Sequence, residues 1–267
     1  MHEEIAAMFD LTDKVSLITG GARDLGFDAA SVLAAAGSHV AITSRSLESA
    51  QKAAAELGRN YGVDALPLSL DQTEVQQVMD VAERAESWKS RIDVLVNNAG
   101  GGVGSVGPLF ERPPTDIAKM IETNLTGALY CCREVGRVMA RQGTGKIINI
   151  ASIAGMIGRD RRMYDRNDMS GQPIDYAAAK AGVIGMTRDL AGYLSPMGVF
   201  VNAISPGGFN RELAEGFVRD YSNETAQGRM GRDGIDLKGA ILFLATTASD
   251  YVTGVNLPVD GGFCIFK

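Results

Sequence analysis

The chain has 267 residues, 45% of them hydrophobic, which suits one large α/β domain and is tight for two. A net charge of −6 supplies no basic field for nucleic acid, and no apolar run reaches the length that crosses a membrane. Two histidines and three cysteines without spaced pairing argue against a metal centre and a disulfide framework, so buried thiols at Cys131 and Cys132 and a reducing cytoplasm are expected.

The acidic start, residues 1–10, has no secretory pattern and is expected to form an N-terminal arm. From there, short apolar runs rich in β-formers alternate with helical stretches. Strands are expected at 15–19, 40–43, 65–70, 94–96, 147–150, 199–204 and 255–259. Helices are expected at 25–36, 47–61, 73–89, 117–141, 176–194 and 237–246. His39 opens the second strand as a structural residue. Nearly all-apolar strands separated by helices imply a parallel sheet covered on both faces. Right-handed crossovers then give a doubly wound, mostly parallel α/β (Rossmann) fold in a single domain. Two segments break the alternation. Residues 158–174 are polar and arginine-rich, and residues 207–233 follow Pro206-Gly207 with a short helix near 212–221. Loops of that length are functional or disordered.

The first strand runs into Thr19-Gly20-Gly21-Ala22-Arg23-Asp24-Leu25-Gly26 and then a helix. Glycines let the backbone approach a pyrophosphate, and a helix N-terminus offers free N–H groups. A turn of this kind in the first βαβ unit is where the fold binds dinucleotides. The second strand ends in Thr43-Ser44-Arg45-Ser46 rather than in an acid. With no carboxylate to repel a 2′-phosphate, and with Ser44, Arg45 and Arg23 to receive one, NADP(H) is favoured over NAD(H). Tyr176 and Lys180 stand four positions apart, on one face of a helix. An ammonium beside a phenol is expected to lower the phenol's pKa and fit it for proton transfer.

Taken together, these residues resemble the short-chain dehydrogenase/reductases, from about Leu11 to the C-terminus. The likeness rests on Thr19-Gly20-Gly21 with Gly26, Asp71 after the third strand, and Asn97-Asn98-Ala99-Gly100 after the fourth. Asn124, Ser152, Tyr176 with Lys180, and Pro206-Gly207 complete it. Within the family the chain looks most similar to the 3-oxoacyl-carrier-protein reductase and gluconate 5-dehydrogenase kinds. The resemblance implies a catalytic tetrad of Asn124, Ser152, Tyr176 and Lys180. Ser152 would donate to a substrate carbonyl oxygen and Tyr176 would carry the proton. Lys180 would hold the nicotinamide ribose, and Asn124 would bend its helix and position a water. A helix kink at Asn124 and a strand-end turn at Ser152 are the structural alternatives. The resemblance places Gly20, Arg23, Asp24, Leu25, Gly26, Ser44, Arg45, Asp71, Asn97, Ala99, Gly100, Tyr176, Lys180, Pro206 and Gly207 at the cofactor. Asp71 would contact the adenine amino group, and Asn97 to Gly100 would line the cofactor cleft and brace Thr19, with plain loop structure as the alternative, above all for Asn98. A small carbonyl or alcohol substrate and a homotetramer are also implied. An NAD(H)-dependent polyol or sugar-acid dehydrogenase and a non-catalytic nucleotide-binding scaffold are the rival readings.

Three departures from the family pattern stand out. Asp24 occupies a position usually held by glycine; it could weaken pyrophosphate binding or cap the helix and face away, with Arg23 offsetting its charge. Ser152 and Tyr176 are 24 positions apart, against about a dozen in the family pattern, so 158–174 reads as an insertion. Its Tyr164 is a rival acid/base, disfavoured by Asp168 four positions on. Near balance between acids and arginines there favours a solvated surface loop over a pocket wall that selects an acidic substrate. Finally, no threonine follows Pro206-Gly207, so Asn210 or a backbone group would meet the nicotinamide amide. Segment 207–233 reads as a substrate lid, with Phe209, Phe217 and Tyr221 as its lining or its core.

Overall fold

The structure, a computed structural model, describes residues 2–104 and 107–267. A short helix, α1 (Glu3–Ala7), precedes the alternating body: β1 (Val15–Thr19), α2 (Asp24–Ala35), β2 (His39–Ser44), α3 (Leu47–Tyr61), β3 (Ala65–Ser69), α4 (Val75–Lys89) and β4 (Val94–Asn97). The second half runs α5 (Pro114–Ile121), α6 (Gly127–Gln142), β5 (Gly145–Ile150), α7 (Arg162–Asp165), α8 (Ile174–Leu194) and β6 (Val199–Pro206). It ends with β7 (Phe209–Asn210), α9 (Glu215–Asn223), β8 (Gly231–Arg232), α10 (Lys238–Ala245) and β9 (Asn256–Val259).

Seven strands form one parallel sheet in the order β3-β2-β1-β4-β5-β6-β9. Successive residues of a strand face opposite sides, and both sides are apolar here. Ile18, Val94, Val96 and Ile148 pack under α2, α3 and α10, while Leu17, Leu95 and Ile147 pack under α4, α6 and α8. Cys131 and Cys132 lie buried in that second layer. No helix among the described residues is long and apolar enough to cross a membrane.

Strand order reverses between β1 and β4. The carboxyl ends of these strands therefore diverge and leave a crevice, the ligand position in this architecture. Every strand expected from the sequence is present, and the helices move by a few residues at their ends. The helix expected at 117–141 begins at Pro114 and is interrupted by a π-helical turn over Glu122–Thr126, centred on Asn124.

The 158–174 segment is not the solvated loop expected from its charge balance. It carries α7, and Met163 is buried in a third apolar cluster with Ile153, Phe217, Tyr221, Met230 and Phe263. Tyr164 lies on Phe217 at 5.2 Å between ring centroids, and Arg166 and Asn167 both bond the Asp220 carboxylate of α9. Charge balance misled because the arginines pair with acids on two different elements: Arg162 with Asp160, and Arg166 with Asp220. Phe217 and Tyr221 are buried core beneath the 207–233 segment, and Phe209 is buried while also lining a cavity with Gly208, Gln227 and Gly231.

Candidate active site

The phosphate-type turn is built at the end of β1. Thr43 of β2 holds it from one side: its hydroxyl accepts from Gly20 N–H at 3.3 Å and its carbonyl from Gly21 N–H at 3.0 Å. Asn98 holds it from the other. Its side-chain amide donates to the carbonyls of Thr19 and Gly20, both at 3.1 Å, while Thr19 Oγ1 accepts from the N–H groups of Asn98 and Ala99. A Cβ on Gly26 would lie 2.2 Å from Gly20 O and 2.4 Å from Asn98 Nδ2, so only glycine permits this closure. The result is a bare helix N-terminus beneath a clamped turn, which fits a pyrophosphate.

Asn97, expected at the cofactor, directs its amide elsewhere. It donates to Asn149 Oδ1, Ala128 O and Cys132 Sγ inside the sheet's α6 layer. Alternation along β4 explains the exchange: Asn97 ends the strand facing inward, and Asn98 is the side chain that meets the turn.

Asp24 does not cap α2. It adopts φ +52 as the first helical residue, and its carboxylate lies 3.7 Å from Arg23 and 3.7 Å from Arg211 of the 207–233 segment. Arg211 also pairs with Asp233 at 2.7 Å. Asp24 thus offsets its own charge with Arg23, and it ties the turn to the segment across the crevice. At the end of β2, Ser44 is half-buried and Arg45 is exposed, with no carboxylate in ion-pair distance of Arg45 among the described residues. Asp71 is drawn into a local turn by Thr73, whose N–H and hydroxyl bond its carboxylate at 3.1 and 2.7 Å. Its burial opposes ionisation, but those bonds and the Arg45 charge hold its pKa below the usual carboxylate range.

The four tetrad candidates converge at the mouth of the crevice. Asn124 Oδ1 accepts from Gly101 N–H at 2.8 Å, and its amide donates to Gly101 O at 3.0 Å and Met120 O at 3.1 Å. A helical side chain can clasp the β4 loop in this way because the π turn opens the backbone around Asn124. A Cβ on Gly100 would lie 2.6 Å from Asn124 Oδ1 and 3.7 Å from Lys180 Nζ, so loop, asparagine and lysine meet at one point. Lys180, 4% exposed, donates from Nζ to Ile150 O at 2.8 Å, and its Nζ lies 5.7 Å from the centroid of the Tyr176 ring. Ser152 caps a single 3-10 turn that follows β5, its hydroxyl accepting from Ala154 N–H at 3.1 Å. Tyr164 sits in the third apolar cluster instead.

Electrostatics correct one expectation. Burial raises the Tyr176 pKa, opposed by the polar Ser152 hydroxyl and the positive charge of Arg159. Lys180 is not what lowers it. Burial depresses the lysine instead, from 10.5 to about 8, so desolvation outweighs the neighbour effect in the ligand-free protein.

Further partners complete the site. Thr43 and Asn98 clamp the turn, and the Tyr221 hydroxyl accepts from Gly208 N–H at 2.5 Å just past Pro206-Gly207. Asn210 is exposed and accepts from Leu213 N–H at 3.3 Å. A buried Arg112–Asp175 pair, 2.6 Å apart, fixes the first turn of α8 beside Tyr176. The Arg112–Asp175 pair had no sequence signal, because its members stand 63 positions apart.

A helix-covered parallel sheet with a glycine turn, and a Ser–Tyr–Lys–Asn cluster at its carboxyl edge, defines a dinucleotide-dependent oxidoreductase. Residues 14–222 match the short chain dehydrogenase family, and the chain belongs to it. It is 36% identical over 97% of its length to all of a 3-oxoacyl-[acyl-carrier-protein] reductase of Synechocystis sp.. It is 33% identical to an NADP-dependent mannitol dehydrogenase of Hypocrea jecorina, covering 96% of this chain and 94% of that one. Among solved structures, the NADPH-dependent 3-quinuclidinone reductase of Rhodotorula rubra superposes with a TM-score of 0.87 at 33% identity, over 99% of this chain and 96% of that one.

Proposed function

We propose that this protein is an NADP(H)-dependent carbonyl reductase or alcohol dehydrogenase in which Tyr176 is the general acid/base. The observation that carries the reading is the buried Lys180 with its Nζ 5.7 Å from the centroid of the Tyr176 ring, at the same strand ends as the clamped glycine turn. A bound nicotinamide supplies or accepts the hydride. In reduction, Ser152 Oγ–H donates to the substrate carbonyl oxygen and Tyr176 Oη delivers its proton to that oxygen. The raised tyrosine pKa keeps the phenol protonated at neutral pH, the form reduction needs. Lys180, with a pKa of about 8, stays mostly charged there and stabilises the phenolate as it forms. It would also hold the ribose, and Asn124 keeps the Gly100–Gly101 loop against it.

Preference for NADP(H) is supported by Arg45 and Ser44 where an acid would repel a 2′-phosphate. Gly20, Leu25, Gly26, Ala99, Gly100, Pro206 and Gly207 would line the same crevice, with Asp71 at the adenine. Segment 207–233 is read as the lid, docked on the 158–174 insertion, and residues 1–10 as an arm. A homotetramer in the cytoplasm completes the proposal; exposed Leu129 on α6 and Tyr193 on α8 offer apolar contact surface, and three free thiols suit a reducing compartment. Tyr176→Phe tests the chemistry. NADPH should still bind within about threefold while kcat on a carbonyl panel falls by about 10²–10⁴-fold. Undiminished turnover in that variant would refute the assignment.

A further inference from the structure

The 158–174 segment carries arginines at 159, 161, 162 and 166. Arg162 and Arg166 have carboxylate partners, and Arg161 is exposed to solvent. Arg159 differs from all three. It is half-buried, and no carboxylate lies within ion-pair distance of it among the described residues. Its guanidinium makes one hydrogen bond, from Nη2 to Pro173 O at 3.3 Å. Pro173 caps α8 three positions before Tyr176, so the cation stands beside the first turn of the helix that bears the acid/base. The nearest acid in that turn, Asp175, is already engaged by Arg112. A partly desolvated, unpaired guanidinium beside a helix N-terminus is unfavourable on two counts: lost hydration and the helix dipole. Nothing in the packing of α7 calls for it, because Met163, Tyr164, Arg166 and Asn167 already dock that segment on α9. Its positive charge also acts to lower the Tyr176 pKa.

We propose that Arg159 anchors an anionic group of the substrate, so that the preferred substrates are small carbonyl compounds or secondary alcohols carrying a carboxylate. A single planar fork matches a carboxylate with two parallel N–H···O bonds. The inference rests on the oxidoreductase reading above and names the substrate class for that same site. The carboxylate takes up the unpaired charge, and its hydrogen bonds to Arg159 fix the distance from the anion to the carbonyl at Ser152 and Tyr176.

The test compares kcat/KM with NADPH for pyruvate, acetoacetate and levulinate against their methyl esters, in the natural protein and in Arg159→Gln and Arg159→Lys. Glutamine keeps an N–H donor for Pro173 O but loses the charge; lysine keeps the charge but loses the fork. At least one acid should be preferred over its ester by about tenfold or more. Arg159→Gln should cut that acid/ester ratio by about tenfold, chiefly through KM, and Arg159→Lys should retain the larger part of it. Indifference of the natural protein to the ester, or an unchanged ratio in Arg159→Gln, overturns the proposal. Thermal unfolding of the NADPH-loaded protein with the same acids reads the anchor without turnover. Acid-dependent stabilisation seen in the natural protein and lost in Arg159→Gln supports it, and equal stabilisation in both, or none in either, overturns it. Turnover of esters and acids alike would remove the anchor alone. Inert carbonyls with Arg159-dependent acid binding would remove the oxidoreductase reading alone.

Discussion

Replacing Lys180 by methionine should stabilise the ligand-free protein while abolishing its chemistry. Burial lowers the lysine pKa from 10.5 to about 8, so the folded state disfavours the charged form relative to the unfolded chain. Below the folded value both states are protonated and the penalty is complete; it amounts to about 3 kcal/mol at pH 7. Between pH 8 and 10.5 the folded protein has released the proton and the unfolded chain still binds it, so stability climbs with pH. At pH 9.5 the residual penalty is about 1.4 kcal/mol. Methionine has a similar shape and no charge, but it leaves Ile150 O without the 2.8 Å bond from Nζ, a loss of about 1 kcal/mol. The net gain is then about 2 kcal/mol at pH 7, or a Tm rise of about 4–8 °C for a chain of this size. At pH 9.5 the gain should nearly vanish. Calorimetric unfolding of both proteins at the two pH values reads this directly. A lower Tm for Lys180→Met at pH 7, or a gain that does not shrink with rising pH, would refute the argument that burial dominates the lysine's energetics.

Asp24→Gly should relieve the φ +52 strain and remove an anion from the turn, tightening NADPH binding by about three- to tenfold by calorimetric titration; weaker binding would contradict the turn's proposed role. Arg45→Gln should weaken NADPH by about tenfold or more and leave NADH within about threefold, so an equal loss for both cofactors would move the 2′-phosphate site elsewhere. Phe217→Ala opens the cluster shared by α7 and α9; limited proteolysis should then cut 158–174 and 207–233 together at rates raised about tenfold or more, and cleavage in only one segment would mean that the two are not coupled.

Strands were legible because a parallel sheet buried on both faces forces short, nearly continuous apolar runs, which is local information. The glycine turn was legible for a similar reason, since Gly26 answers a contact with Gly20 only six positions away. What escaped were partners supplied from a distance. Bracing of Thr19 by the 97–100 stretch was legible, but that Asn98 and not Asn97 supplies the side-chain amide was not, because the choice depends on which face each residue presents to a turn some 80 positions upstream. Arginines and acids in 158–174 looked self-cancelling because the sequence does not say that Arg166 answers Asp220, 54 positions away, while Arg159 meets a backbone carbonyl and no carboxylate among the described residues. The tyrosine–lysine pair exposes a subtler limit. Spacing correctly put both side chains on one face of α8, yet the sign of the pKa shift depended on depth, which spacing does not encode.

Depth also connects the site's parts. Lys180 is buried because the Asn124 clasp closes the Gly100–Gly101 loop over it, and that clasp exists because a π turn interrupts what would otherwise be a plain helix. A cation so enclosed costs stability when nothing is bound, and the phenol beside it stays protonated. Both conditions favour an anion forming next to them: the phenolate during reduction, and at the edge of the site the substrate charge assigned to Arg159. Stability is given up at Lys180, Asp24 and Arg159, three places where the fold alone would choose an apolar residue, a glycine and an uncharged side chain. Asp24 stands at the glycine turn, Lys180 on α8 beside Tyr176, and Arg159 against the first turn of that same helix, and departures from local preference concentrated in one region are what a binding and reaction site requires.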